Sequence, residues 1–303
     1  TGGGYNSGFE SLLYVDGHPY QGVDTNHNEV FFQGKEGEKV RLTFLLWTGL
    51  EGGGVHRTFY HQLKQADLGY LHKNTDELYY FARAITETLM LLPEDDENYA
   101  SLKTALDRAL LYIDWDEDTF YESVDKAHQV LMDELDRLEK HTDVTVHVVG
   151  HTHIDVAWLW RLKHTREKAQ RSFSTVLRLM EQYDEYVFLQ TQPQLYKYIK
   201  EDCPELYEGI RKRVAEGKWE PDGGMWVEAD CNISSGEALV RQFLHGTRFF
   251  EREFGKKCEY LWLPDVFGYS WALPQILKLC EIDTFMTTKI SWNEFNKMPY
   301  DTF

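Results

Sequence analysis

The hydrophobic pattern of the chain changes period twice, and each change marks a new kind of element. Over residues 1–60 apolar positions come in short runs typical of strands. Ser11-Leu12-Leu13-Tyr14-Val15 meets Asp16-Gly17, a pair suited to a tight hairpin turn, and a second short segment follows from about Pro19 to Val23. Lys39 to Trp47 is again rich in β-forming residues and leads to Gly52-Gly53-Gly54, read as loop punctuation. Together these segments predict a β-sandwich remnant over residues 1–60. Over residues 66–142 the period becomes helical. The Asn74…Glu77 capping pair opens a helix with Leu78, Phe81, Ile85 and Leu89 on one face, and Pro93 closes it. Leu102, Leu106, Leu110 and Ile113 mark a second helix, and Val124, Ala127, Leu131, Leu135 and Leu138 a third. Residues 61–143 therefore read as a helical connector.

From residue 144 strand and helix alternate. Val144 to Val149 is a nearly continuous apolar strand of the parallel-sheet kind, in which His147 reads as a core histidine. A long helix follows, with Leu162, Ala169, Phe173, Val176, Leu177 and Met180 on its apolar face. Strands at Val187–Leu189, Lys218–Glu220, Glu259–Leu263 and Thr284–Thr288 alternate with helices at about 194–216, Gly236–Phe254 and Leu273–Cys280. This order predicts α/β architecture, a partial parallel β/α barrel-like catalytic domain over residues 144–303 with right-handed crossovers.

Charge narrows the partners. The chain has 303 residues, with 50 acidic and 32 basic side chains and a net charge of −18. Such a chain is repelled by phosphate backbones, which argues against nucleic acid as a partner. Residues 91–140 hold 15 acidic and 5 basic side chains and read as a solvated helical surface. The basic run Arg161–Arg171 reads as the solvated face of its helix. No apolar stretch approaches the length of a membrane span. The four cysteines, Cys203, Cys231, Cys258 and Cys280, form no CxxC pair and read as reduced thiols of a cytoplasmic protein. The chain starts Thr1-Gly2-Gly3-Gly4 and ends at Phe303, and both ends read as cuts in a longer protein.

In parallel α/β folds reactive groups gather beyond the carboxyl ends of the strands. Taken in turn, those ends carry His151, His153 and Asp155; Gln190 and Gln192; Glu220, Asp222, Trp226, Glu228 and Asp230; Asp265; and Lys289. His151, His153 and Asp155 stand at alternate positions, so an extended backbone lets them point together, and two of them suit a divalent ion such as zinc. Trp158, Trp160, Trp226, Trp262 and Phe267 lie near these points; most aromatics are core, but those beside a polar mouth can also stack on the apolar face of a sugar ring. The chain has no GK[ST] phosphate loop, no G-x-S-x-G elbow, no Cys/His nucleophile pair and no dinucleotide fingerprint.

Three segments carry a family resemblance: His151-Thr152-His153-Ile154-Asp155-Val156-Ala157-Trp158, Gly224-Met225-Trp226-Val227-Glu228-Ala229-Asp230 with Ser235-Gly236-Glu237, and Leu263-Pro264-Asp265-Val266-Phe267-Gly268-Tyr269-Ser270. They resemble glycoside hydrolase family 38, the zinc-dependent retaining α-mannosidases. Thr288 to Asn296 is similar to the bacterial and cytosolic branch. The Golgi-type enzymes differ at Ile154, Val156, Ala157, Val266 and Tyr269, which bears on the subfamily and substrate and leaves the ligand positions intact.

The resemblance implies that His153, Asp155 and Asp265 are zinc ligands, one zinc per site, and that Asp265 is also the catalytic nucleophile. Trp158 and Phe267 become substrate-binding residues, and His151 a neighbour of the site. The substrate class implied is a mannose-containing oligosaccharide, cleaved through a covalent mannosyl-aspartate. The family's remaining zinc ligand and its acid/base carboxylate are expected beyond Phe303, so the segment alone is expected to bind zinc weakly and to lack turnover. A homo-oligomer is compatible with this reading. Two alternatives stand beside it: a metal-dependent amidohydrolase or deacetylase, in which the metal activates water directly, and a non-catalytic carbohydrate-binding fragment.

Overall fold

A computed structural model describes residues 10–24, 26–47, 65–116, 118–138 and 144–295. The chain divides into two compact units, one of residues 1–61 and 147–303, the other of residues 62–146. The β-rich start and the alternating segment, read from sequence as separate pieces, thus share one unit.

In the first unit β1 (Glu10–Val15), β2 (His18–Val23) and β3 (Leu42–Trp47) form an antiparallel sheet in the order β2-β1-β3. Asp16 and Gly17 make the β1–β2 turn with φ of 53° and 93°, the left-handed values that Asp-Gly pairs tolerate. β2 packs on α4 (Leu162–Gln182) at close range. The Gly22 amide donates to Thr175 Oγ1 at 3.0 Å, and a Cβ at Gly22 would lie 3.2 Å from the Arg171 carbonyl. Among the described residues the sheet is backed by this helix and not by a second sheet, so the sandwich expectation reduces to one sheet on a helix. Leu42, Phe44 and Leu46 stand exposed on β3. Gly52–Gly54 lie outside the described residues.

The packing corrects the reading of Arg161–Arg171 as a solvated face. Arg171 is buried, and Lys168 is largely covered. Both pair with Glu10 of β1, Lys168 at 2.8 Å, and both lie over the Trp47 ring. The sheet settles on that face of the helix, so its two cations find a carboxylate instead of water. Arg166 is partly exposed and pairs with Glu201 and Asp202, while Arg161 and Lys163 at the start of the run are exposed, as expected.

The alternating segment forms β4 (Gly150–His151), β5 (Phe188–Leu189) and β6 (Trp219–Glu220) as one parallel sheet, and β7 (Tyr260–Leu263) with β8 (Thr284–Thr287) as another. A parallel bridge between Gly223 and Leu261 joins the two. The five strands follow chain order, and a helix or helix pair stands between successive strands: α4, then α5 (Pro193–Asp202) and α6 (Pro204–Ala215), α7 (Gly236–Phe254) and α8 (Leu273–Leu279). The apolar core beneath them centres on Phe173, Phe188, Tyr196, Trp219 and Phe250, all fully buried. Trp219 Nε1 donates to Tyr196 Oη at 2.7 Å, and Tyr196 Oη donates to the Gln190 carbonyl at 2.9 Å, so the polar tips of both rings are satisfied inside the core.

Two expectations fail here for identifiable reasons. Val144–Val149 is not a strand, and Val144, Val146, Val148 and His147 are exposed. A strand needs a partner, and β5 starts only at Phe188, after a turn closed by the Tyr186 amide on the Tyr183 carbonyl. Among the described residues no strand pairs with residues 146–149. The helix expected over about 194–216 is two helices, because Pro204 has no amide to continue the ladder and Cys203 takes a non-helical φ of −146°.

The second unit packs α1 (Lys73–Leu89), α2 (Glu97–Leu110) and α3 (Phe120–Asp136) around Leu78, Ile85, Ala105, Ala109, Val124, Ala127 and Leu131. Alanines form the α2 seam and let the helices approach, while Leu110 and Phe81 stay exposed. α1 starts at Lys73, and Asn74 donates to Asp125 at 2.9 Å instead of capping the helix.

Candidate active site

The site is built on backbone that continues past the strand ends. Beyond β4 the chain stays extended because two glutamines after β5 hold its carbonyls. Gln190 Nε2 donates to the Thr152 carbonyl at 3.1 Å, and Gln192 Nε2 to that of Ile154 at 2.9 Å. Ile154 is buried while its neighbours His153 and Asp155 are partly exposed, the alternation that an extended backbone imposes. His151 turns into the wall. Its Nδ1 donates to the Leu189 carbonyl at 3.1 Å, its Nε2 lies 3.4 Å from Glu228 Oε1, and its ring meets Trp262 edge-on.

His153 meets Asp155 and Asp265. Its Nε2 is 3.2 Å from Asp155 Oδ1 and 3.6 Å from Asp265 Oδ2, and its Nδ1 bonds to Glu228 Oε2. Asp265 follows β7. Its other oxygen, Oδ1, pairs with Lys289 Nζ at 2.7 Å, and Lys289 opens a short 3-10 turn (Lys289–Trp292) after β8. Thr288 Oγ1 donates to the Pro264 carbonyl at 2.5 Å and ties these two strand ends together. The Lys289 ammonium lies 3.9 Å from the Trp292 ring centre and 5.4 Å from that of Phe267.

These groups line a cavity of about 1240 Å³ that also takes in Trp158, Asp230, Phe267 and Trp292. Trp158, Phe267 and Trp292 are more than half exposed at its edge. Trp160 and Trp226 pack inward instead, their Nε1 atoms donating to Thr165 and Gln194. Trp262 sits against the His151 ring. Of the other acidic residues at strand ends, Glu220 pairs with Lys256, and buried Asp222 accepts the Gly223 and Glu259 amides.

The electrostatics centre on a coupled pair. Burial alone would lower the His153 pKa, but hydrogen bonds to Asp155 and Glu228 and the charges of both carboxylates outweigh it and push it up to about 10. Burial likewise raises the Glu228 carboxyl, and hydrogen bonds with His151, His153 and Thr191 outweigh that, leaving its pKa below the ordinary value.

The donor set accommodates a zinc ion. Ionised Glu228 accepts from Nδ1, so a neutral His153 presents the Nε2 lone pair toward two further acceptors, Asp155 Oδ1 and Asp265 Oδ2. Without a metal, a proton on Nε2 joins the ring to Asp155 Oδ1; with that proton released, the three acceptors face one point that a cation could occupy. Among the described residues no three donors close into a metal cluster as they stand, and Lys289 holds Asp265 from the other side.

Sequence reading singled out His153, Asp155, Asp265, Trp158 and Phe267, and all five line the same cavity. It gave no role to Lys289, Thr191 or Glu228. Lys289 and Glu228 already stood among the strand-end residues, which was the available signal. Thr191 carried none.

Comparison with known proteins supplies an independent line. Residues 143–303 match the family model for the glycosyl hydrolases family 38 N-terminal domain. The chain is 40% identical over 317 residues to alpha-mannosidase G of Dictyostelium discoideum, covering 99% of this chain and 29% of that protein. It is 50% identical over 159 residues to alpha-mannosidase 2C1 of Homo sapiens, covering 52% of this chain and 15% of that protein. Among solved structures, an alpha-mannosidase from Enterococcus faecalis V583 is 25% identical with a TM-score of 0.43, over 46% of this chain and 16% of that one. The chain thus spans under a third of the length of the Dictyostelium relative.

Proposed function

The chain belongs to glycosyl hydrolase family 38, and from that premise we propose that it carries the nucleophile and zinc-binding half of a retaining α-mannosidase active site. The full-length protein hydrolyses terminal α-mannosides of oligosaccharides such as N-glycans. The observation that carries this reading is the convergence of Asp265 with His153 and Asp155 at a cavity edged by exposed aromatic rings. Family membership weighs against the amidohydrolase and binding-fragment alternatives.

In this reading Asp265 attacks the anomeric carbon as the glycosidic bond breaks, and forms a mannosyl ester. A second carboxyl group, about 5–5.5 Å from the nucleophile in retaining enzymes, protonates the leaving oxygen and then takes a proton from the water that cleaves the ester. That group, with a further zinc ligand, comes from the part of the full-length protein outside this chain. Lys289 holds Asp265 Oδ1 and so fixes the angle at which the carboxylate faces the sugar. Trp158 and Phe267 stack on the apolar face of the ring and keep water from the reacting carbon. His153, Asp155 and Asp265 would hold a zinc ion, which when bound would supply polarisation and orientation of the sugar hydroxyls. The five parallel strands in chain order support a partial β/α barrel completed by further strands of the full-length protein. Four free cysteines, three of them buried, suit a reducing compartment such as the cytoplasm.

Aryl α-mannoside hydrolysis by the full-length protein tests the proposal. Turnover that vanishes with a chelator and returns with zinc supports it. A zinc-replete protein without turnover on α-mannosides refutes it.

A further inference from the structure

Glu228 is the most enclosed ionisable group of the site: its side chain is 2% exposed. It lies two residues beyond Trp226, on the segment between β6 and α7. Among the described residues no lysine or arginine pairs with it. Its Oε1 accepts from Thr191 Oγ1 and faces His151 Nε2 at 3.4 Å, and its Oε2 bonds to His153 Nδ1. The Glu228 amide donates to Gln192 Oε1 at 3.1 Å, and Gln192 Nε2 holds the Ile154 carbonyl, so the same glutamine ties this loop to the His153 strand end. A carboxylate removed from water is costly unless its lone pairs are taken up. Here they are taken up by the His153 imidazole and the Thr191 hydroxyl, and that imidazole is the ring turned toward Asp155 and Asp265.

We propose that Glu228 is the positioning residue for His153: it holds the hydrogen on Nδ1, fixes the plane of the ring, and leaves the Nε2 lone pair directed at the point shared with Asp155 and Asp265. The inference rests on the zinc reading of that point and adds a residue to it. Thr191 holds Glu228 in turn, so a relay runs from the β5 end through the buried carboxylate to the metal-facing nitrogen. Such an acceptor behind a histidine ligand raises its basicity and removes the cost of orienting the ring, and its loss weakens metal binding by about 10–100-fold. A carboxylate that served only to join two loops would leave metal affinity where it was.

The test is zinc affinity of the full-length protein, measured by chelator competition, with the cobalt(II) absorption spectrum as a readout of ligand geometry. Glu228→Ala is expected to weaken zinc by about 10–100-fold and to alter the cobalt spectrum. Glu228→Gln, whose amide oxygen still accepts from Nδ1, is expected to recover much of that loss. Thr191→Val removes only the hydroxyl on the far oxygen; its expected few-fold loss keeps the test decisive if Glu228→Ala does not fold. Folded variants that match the unmodified protein within about twofold, with an unchanged cobalt spectrum, overturn the role of Glu228 while leaving the zinc site standing. An unmodified protein that takes up no zinc overturns the zinc reading itself, and the positioning role with it.

Discussion

Replacing Gly246 with alanine perturbs the packing that sets the Glu228 loop, and its sign is opposite to that of an ordinary helix substitution. Gly246 lies inside α7, where Gly→Ala on an open face stabilises by about 1 kcal/mol. Here an added Cβ would stand 2.3 Å from the Gly224 carbonyl oxygen, 2.6 Å from the Met225 carbonyl carbon and 2.8 Å from the Met225 oxygen. All three are backbone atoms, so no side chain can swing away, and loop and helix must separate by about 1 Å to restore ordinary contact. That movement loosens two hydrogen bonds joining α7 to the loop, from the Trp226 amide to the Gln242 carbonyl and from the Val227 amide to Gln242 Oε1, both at 3.0 Å. Overpacking costs about 1–3 kcal/mol and each loosened bond up to about 1 kcal/mol. Against the propensity gain, the net is a loss of about 2 kcal/mol, which lowers the thermal midpoint by roughly 4–8 °C. Gly236→Ala is the control, since its Cβ meets nothing within 4 Å. It is expected to change stability by less than about 0.5 kcal/mol. Thermal unfolding of both variants by tryptophan fluorescence is the assay. A Gly246→Ala protein as stable as the parent, or more so, would refute the close approach of α7 to the loop.

Three further outcomes follow from the same structure. Trp219→Ala removes a fully buried ring and its bond to Tyr196, and is expected to cost about 3–5 kcal/mol, read as the fall in the denaturant midpoint. Lys289→Met frees Asp265 Oδ1 and is expected to lower kcat/KM for an aryl α-mannoside on the order of 10²-fold, with Lys289→Arg retaining more activity; steady-state kinetics on the full-length protein checks it. Burial would raise the Glu253 carboxyl, but hydrogen bonds from Lys200, Tyr207 and Arg252 outweigh it and hold the pKa below the ordinary value. The stability it supplies is therefore full above its unfolded-state pKa and lost as pH falls through the lower folded-state value. Glu253→Gln should lower the urea midpoint at pH 7 and narrow the gap between pH 7 and pH 4; an unchanged gap would contradict the assignment.

What the sequence made legible depended on whether a feature is local. The α7 boundaries, Gly236 and Phe254, follow from a Ser235 cap and Gly255 in the left-handed conformation, both visible as residue types. The hairpin turn follows from Asp16-Gly17, and the gathering of His153, Asp155 and Asp265 follows from the rule that places reactive groups beyond strand ends. What escaped depends on distant partners. Val144–Val149 has strand composition, but among the described residues it forms no strand. Lys168 and Arg171 look solvated until β1 brings Glu10 onto them. Glu228 gains its role only because the β6–α7 segment folds back against His153, which periodicity along one segment does not report.

The central claim is that Asp265 becomes covalently attached to the sugar. The most direct measurement is trapping of the full-length, zinc-loaded protein with an activated fluoro-mannoside, followed by peptide mapping. The account predicts one mannosyl adduct on the peptide carrying Leu263-Pro264-Asp265, absent from Asp265→Asn. An adduct on another carboxylate, or turnover of the natural linkage with inversion at the anomeric carbon, would contradict it.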